Sequence, residues 1–219
     1  MAPSSERSPS SRADSSRAES KTEASKGEAT RVRIVQRALE LTTSVGFEAL
    51  SIGDLASDLG LSKSGLFAHF GSKEQLQLDV LDAAAESFKS AVFDPVPRTS
   101  PGDARVVALF ENVLKWIQSR EMPGGCVFMA GAFEWDDAQG PVRQRLVEWH
   151  EKFKAGIVRS VSVAIEQQLF RADLDAELFA HELHGILLEY HLEARLMRNK
   201  KAQVFARRAF QRILADARG

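Results

Sequence analysis

The sequence predicts an all-α protein: a three-helix unit built around a helix-turn-helix near the N-terminus, followed by a larger C-terminal helical bundle. Three observations predict it. Apolar residues recur at i, i+3, i+4 and i+7 in segment after segment, the spacing of helices with a buried face. Serine stands at expected helix starts and glycine at helix ends, where they satisfy free amides and turn the chain. The period-two alternation of a half-buried strand is absent from the sequence.

Residues 1–29 mix Ser, Ala, Arg, Lys, Glu and Thr without apolar periodicity, so the composition predicts a disordered, solvated tail. The alternative is an arm that places Arg or Lys in a DNA minor groove. The first helix is expected from about Thr30, with Ile34, Ala38, Leu41 and Val45 on one face and Gly46 at its end. Ser51 then caps a second helix, and Asp54 sets a carboxylate in its positive first turn. Ile52, Leu55, Ala56 and Leu59 form its buried face. Gly60 turns the chain, Leu61 tucks back, and Ser62 caps a short helix from Lys63 to about Phe70. Leu66 and Phe70 lie four apart and face inward, which leaves Lys63, Ser64, Gly65, Phe67 and His69 free. Gly71 ends this helix, and Ser72 with Gln75 makes a capping box that starts a fourth.

In a helix-turn-helix the N-terminal residues of the second helix enter the major groove. Lys63 can bond guanine or phosphate, and Ser64 can donate or accept at either. Gly65 costs about 1 kcal/mol of helix propensity against alanine, which suggests a close approach to DNA. Ser51 and Lys73 sit at helix N-termini whose amides face outward, and Lys73 is suited to hold a phosphate. His69 can do so when protonated. This edge makes double-stranded DNA the expected partner.

The stretch ALELTTSVGFEALSIGDLASDLGLSKSGLFAHFGSKEQL resembles the DNA-binding domain of TetR-family bacterial transcriptional regulators, over about residues 30 to 76. The residues that carry the resemblance are Gly46-Phe47, Ser51-Ile52, Leu55-Ala56, Gly60-Leu61-Ser62, the step Gly65-Leu66-Phe67, and Phe70 followed by Lys73. Two positions depart from the family pattern. Phe67 stands where Tyr is usual and lacks a hydroxyl for phosphate, and Gly53 replaces an acidic or polar residue. The resemblance implies a division into the tail 1–29, a DNA-binding domain 30–76 with its motif at 51–70, and an effector-binding and dimerisation domain 77–219. It also implies a non-enzymatic, cytoplasmic protein, nucleoid-associated when DNA-bound, that represses transcription until a small molecule releases it from a pseudo-palindromic operator.

Beyond residue 76 the fourth helix is expected to reach about Val92, before Pro95, Pro97, Pro101 and Gly102 break the chain. Val106, Phe110, Val113, Leu114 and Ile117 mark the next helix, ended by Pro123-Gly124-Gly125. A short apolar segment, Cys126 to Trp135, precedes a break at 136–140, and Pro141 opens a long helix toward Leu169. Asp175 caps another to about Met197, and the last runs from about Lys200 to Ala217. The helix after Asp175 is apolar on more than one side, through Leu178, Phe179, Leu183, Ile186, Leu187, Leu188, Tyr190, Leu192, Leu196 and Met197. With Val204, Phe205, Phe210, Ile213 and Leu214 of the last helix it predicts a homodimer, and the resemblance places that interface on the last two helices.

For the effector, Trp116, Phe128, Met129, Phe133 and Trp135 are aromatic or flexible apolar residues near chain breaks, and His184 can add a polar contact. The alternative is that they are core. Cys126, the one cysteine, is either a redox sensor or a buried inert thiol, and it excludes an intrachain disulfide framework. The rival function is a helical metalloprotein or an interaction module, because His181, His184 and His191 share a helix with Glu182, Glu189 and Glu193. Neither the Glu-x-x-His step of di-iron bundles nor the H-E-x-x-H zinc motif occurs. No phosphate loop and no nucleophile–base pair is evident, so no cofactor, metal or catalytic residue is expected. No segment approaches the roughly 20 apolar residues of a membrane span, and no signal-peptide pattern is present. The net charge of −1 requires attraction to phosphate to be local, with clear salt sensitivity.

Overall fold

Serine caps and glycine turns divide the chain close to where the sequence places them. The computed structural model describes the backbone of residues 10–96, 100–120 and 122–219, with side chains from residue 26 onward. Among the described residues there are nine α-helices and no strand. Residues 1–9 of the expected tail, and Pro97 of the expected break, lie outside the described residues.

The helix α1 spans Ser10–Val45, which corrects the expectation of a disordered segment up to residue 29. The absence of an apolar stripe is no bar to helical backbone, since Ala, Arg, Lys and Glu are all good helix formers. From Ile34 onward α1 does carry a buried face, and it closes at Gly46 with a bond from the Gly46 amide to the Thr42 carbonyl at 2.9 Å.

The helix α2 spans Ile52–Asp58 and α3 spans Lys63–Phe70. Gly60 between them has φ +67°, the left-handed conformation that costs glycine little. That turn lets the Leu61 amide reach back to the Ala56 carbonyl at 2.8 Å while the Gly60 amide bonds the Ser57 carbonyl at 3.2 Å. These are the paired bonds of a Schellman motif, so the joint between the two helices closes on its own backbone. Ile34, Ala38, Leu55 and Leu66, with Leu76 of α4 (Lys73–Phe88), are fully buried and form the core of this unit. Burial of each leucine contributes about 1.5–3 kcal/mol.

The expected single helix to Val92 is instead α4 followed by a π-helical turn, Lys89–Phe93. Its physical effect is to bring Phe88 and Phe93, five residues apart, onto the same partner. Their ring centroids lie 5.4 and 6.2 Å from that of Phe153. The C-terminal bundle continues with α5 (Gly102–Ile117), α6 (Val127–Glu134), α7 (Pro141–Glu166), α8 (Ala176–Arg195) and α9 (Ala202–Arg218). Its centre is an aromatic cluster. Phe128 stacks on Trp149 at 3.8 Å, and Phe88 meets Trp116 and Trp149 edge-on at 5.5 and 4.9 Å. Each such pair adds about 0.5–1.5 kcal/mol beyond its burial.

Two sides of α8 and the residues that follow it are apolar, as the sequence predicts, but among the described residues only one side is covered. Phe179, Leu183, Leu187 and Tyr190 are buried, whereas Leu178, Leu192, Leu196 and Met197 are exposed. On α9, Phe210 stacks on Phe110 at 4.0 Å and Leu214 is buried, while Val204 and Phe205 face outward.

Candidate nucleic-acid interface

The exposed edge of α3 is built by its cap. Ser62 accepts from the Gly65 amide at 3.0 Å and lies 3.3 Å from the Ser64 hydroxyl. Leu66 and Phe70 anchor the opposite face, so Lys63, Ser64, Gly65 and Phe67 are exposed and His69 is half-buried. The structure gives Gly65 a local account besides approach to DNA, because a Cβ there would sit 2.9 Å from the capping hydroxyl of Ser62. Ser51 accepts from the Asp54 amide at 3.3 Å, which leaves its own hydroxyl proton available to a phosphate. Ser72 caps α4 in the same way, from the Gln75 amide at 3.0 Å.

Ion pairs hold these helices against α1. The Arg31 guanidinium donates to the His69 carbonyl and to Asp79, and lies 4.7 Å over the Phe70 ring. One side chain thus ties α1 to the end of α3 and to α4. Arg37 grips Asp58 at the end of α2 with two bonds of 2.6 and 3.1 Å and also bonds Glu40. The Arg37 hydrogen bond holds the Asp58 carboxyl below its usual range. Sequence reasoning missed both arginines as positioning residues. The Arg37–Glu40 spacing was a local signal, but Arg31–Asp79 spans 48 positions and had none.

Lys73 is half-buried, and its ammonium donates to the Glu48 carbonyl at 2.5 Å. An ammonium has three donors, so this bond fixes the side chain while leaving protons for phosphate. The loop it grips is held from the C-terminal bundle as well. Glu134, the last residue of α6, accepts from the Phe47 amide at 2.8 Å and from the Glu48 amide. Gln77 of α4 donates to the Phe47 carbonyl at 3.0 Å. Ahead of α6, Gly124 packs so closely on α1 that a Cβ would fall 1.4 Å from the Thr43 carbonyl oxygen, and its amide bonds the Thr43 hydroxyl at 3.0 Å.

The residues expected to line an effector pocket are not all brought to one described cleft. Trp116, Phe128 and Met129 are buried, Trp116 against Phe88 and Phe128 stacked on Trp149. Phe133 points outward and is 70 % exposed. Trp135 lines a cleft of about 210 Å³ between the end of α6 and the first half of α7. Leu146 and Val147 complete its apolar wall, and Arg143, Glu151 and Lys154 are charged residues on it. Among the described residues the buried indole N–H of Trp135 has no hydrogen-bond partner. His184 lies behind this wall, its Nε2 3.2 Å from Nδ1 of the cleft residue His150, whose Nε2 is 3.3 Å from the Phe128 carbonyl. Since that carbonyl only accepts, the neutral pair is ordered with His184 donating to His150. Burial, and then the neighbouring charges of His150, Lys154 and His181, push the His184 pKa down to about 4.

Among the described residues no group of three or more His, Cys, Asp and Glu is placed to hold a metal ion. Cys126 is fully buried, and burial pushes its thiol pKa up. No helix of the described residues is long and apolar enough to cross a membrane.

A capped helix pair with an exposed polar N-terminal edge, set on a helical bundle, defines a helix-turn-helix DNA-binding regulator. Residues 34–80 match the family described as bacterial regulatory proteins, tetR family, and residues 102–210 match the tetracyclin repressor-like C-terminal domain. The chain belongs to the TetR family of transcriptional regulators, which are generally non-enzymatic DNA-binding proteins. It is 24 % identical over 101 residues to the uncharacterized HTH-type transcriptional regulator YezE of Bacillus subtilis, a match covering 46 % of this chain and 52 % of that one. The chain therefore spans about half the length of this curated relative. A TetR regulator from Chloroflexus aurantiacus superposes with a TM-score of 0.76 at 25 % identity, over 87 % of this chain and 94 % of the other. AibR, crystallised with isovaleryl coenzyme A and operator DNA, superposes with a TM-score of 0.60 at 21 % identity, over 74 % and 85 %.

Proposed function

We propose that the protein is a homodimeric, sequence-specific repressor that binds a pseudo-palindromic DNA operator through α3 and is released by a small molecule. The observation that carries this reading is the α3 edge. Lys63, Ser64 and Gly65 stand exposed at the start of a helix whose other face is locked into a core. Ser51 and Lys73 flank it as phosphate contacts, and Phe67 and His69 extend it. Residues 30–76 would form the DNA-binding domain and 77–219 the effector-binding and dimerisation domain. The uncovered apolar side of α8, with Val204 and Phe205 of α9, supports pairing through the last two helices, which sets two reading heads about a two-fold axis.

The effector site in this reading is the α6–α7 cleft, not the aromatic core. Its volume suits a ligand smaller than a drug molecule, with an apolar body against Leu146 and Val147 and a polar group facing Arg143, Glu151 and Lys154. AibR supports the general scheme, because the same fold accommodates an acyl ligand and operator DNA. The protein would work in the cytoplasm and collect on the nucleoid when bound to DNA.

The test is selection of bound sites from random double-stranded DNA with the full chain, repeated with pools of small metabolites. The expected result is a pseudo-palindrome with half-sites about one helical turn, or a modest multiple of it, apart. A ligand pool should then release the DNA. Failure to enrich any sequence over random DNA at low salt would overturn the DNA-reading proposal.

A further inference from the structure

We infer that Glu134 is a positioning residue that sets the spacing of the two reading heads, by holding the loop between α1 and α2 from the C-terminal bundle. The inference rests on the operator-binding reading above. It starts from the two peptide groups that feed α2. The Phe47 and Glu48 carbonyls are held by Gln77 and Lys73 of α4, and both of their amides are held by the Glu134 carboxylate of α6. Every polar backbone atom of these two residues is therefore engaged, half by a helix adjoining the reading head and half by a helix of the bundle. The two sets do different work. Those from α4 keep the loop folded on its own unit. The bonds to Glu134 cross to α6, so with the Gly124–Thr43 contact and α4 itself they help set how the unit sits on the bundle.

Charge makes this tie stronger than an ordinary loop contact. A carboxylate accepting two backbone amides uses both of its oxygens in charge-assisted bonds, about twice as strong as neutral ones. The position is also confined, because a Cβ on Gly46 would come within 3.1 Å of both Glu134 oxygens. Ahead of α6 the Gly124 amide bonds Thr43 of α1, so the α6 segment is fastened to the end of α1 before its two turns and to the loop following α1 after them. Trp135, the residue after Glu134, lines the α6–α7 cleft. A group bound there contacts the chain one residue from the tie, and a shift of the α6 terminus that parts Glu134 from the loop would release the reading head from its fixed spacing.

The experiment compares Glu134→Ala and Glu134→Gln with the unsubstituted chain, by site selection from libraries in which one half-site sequence is repeated at varied spacings. The glutamine keeps one acceptor but turns an N–H₂ group toward the second amide, so it loosens the tie with little change in volume. The expected result is the same half-site sequence with neighbouring spacings accepted almost equally, and affinity at the preferred spacing falling about tenfold or more. Dimer formation and helical content should be unchanged, and if the alanine variant fails to fold the glutamine variant decides. An unchanged, single preferred spacing in a folded variant would overturn the inference. Failure of the unsubstituted chain to select any site would overturn the operator-binding reading instead.

Discussion

The reading head and the C-terminal bundle are both helical, yet they are organised by different kinds of interaction. Residues 46–76 are specified by short-range bonds: serine caps three or so residues from their amides, and glycine turns closing on the preceding helix turn. The bundle is specified by rings that come from α4, α5, α6 and α7, far apart in sequence. Short-range signals show in a sequence as residue types at fixed offsets, while packing shows only as a supply of apolar residues. The two regions should therefore fail in different ways when altered.

The largest effect should come from the bundle's uncovered face. Phe205 and Leu192 are exposed in the single chain, so Phe205→Glu with Leu192→Glu should leave the protomer folded. In a dimeric reader the second head binds at high effective concentration, and its loss costs about a hundredfold or more in operator affinity. Light scattering should show a monomer and DNA titration the weakened binding. Retention of the dimer would move the interface elsewhere.

Next comes the aromatic centre. Phe88 touches Phe93, Trp116, Phe128, Trp149 and Phe153, with ring centroids 4.9–6.3 Å away. Phe88→Ala should destabilise the protein by about 3–5 kcal/mol, read as a lowered denaturant midpoint. If instead the variant is nearly as stable, and an added aromatic compound restores the remainder, the centre adapts as a ligand pocket and the filled-core description fails.

That comparison explains what was legible in the sequence. Ser51, Ser62, Ser72 and Gly60 stand where their local bonds require, and α3 has the bounds expected for it. The helices of the bundle were legible too, because Pro141 and Asp175 mark their starts. The cleft was not. Trp116, Phe128 and Trp135 carry the same apolar signal, and only the fold decides that two of them interlock and one borders a space. Arg31, Gln77 and Glu134 were missed for a related reason, since a polar side chain that bonds a distant backbone group leaves no periodic trace.

A smaller, sharper effect is expected at the reading edge. Lys63→Ala removes an exposed side chain that makes no hydrogen bond or ion pair among the described residues, so stability should be unchanged. If Lys63 reads a base, affinity falls by about 1–3 kcal/mol and specificity relaxes at one position of each half-site. If it holds phosphate, affinity falls evenly across sequences and the salt slope drops by about one per contact. Binding with wild-type affinity and salt slope would remove Lys63 from the interface.

The smallest effect belongs to Cys126. Its sulfur is fully buried at the start of α6, where burial raises the thiol pKa more than the Met129 amide, the Trp116 indole and the Phe128 amide lower it. The thiolate is the reactive form, so at neutral pH this cysteine lacks both the charge state and the access that oxidation needs. A thiol-specific disulfide reagent should label the native protein only as fast as the bundle opens, and label it at once in denaturant. Cys126→Ser should leave operator binding unchanged before and after peroxide. Rapid labelling of the native protein would show that the start of α6 opens independently of the bundle. The boundary between a locally specified head and a packed bundle would then run through α6 itself.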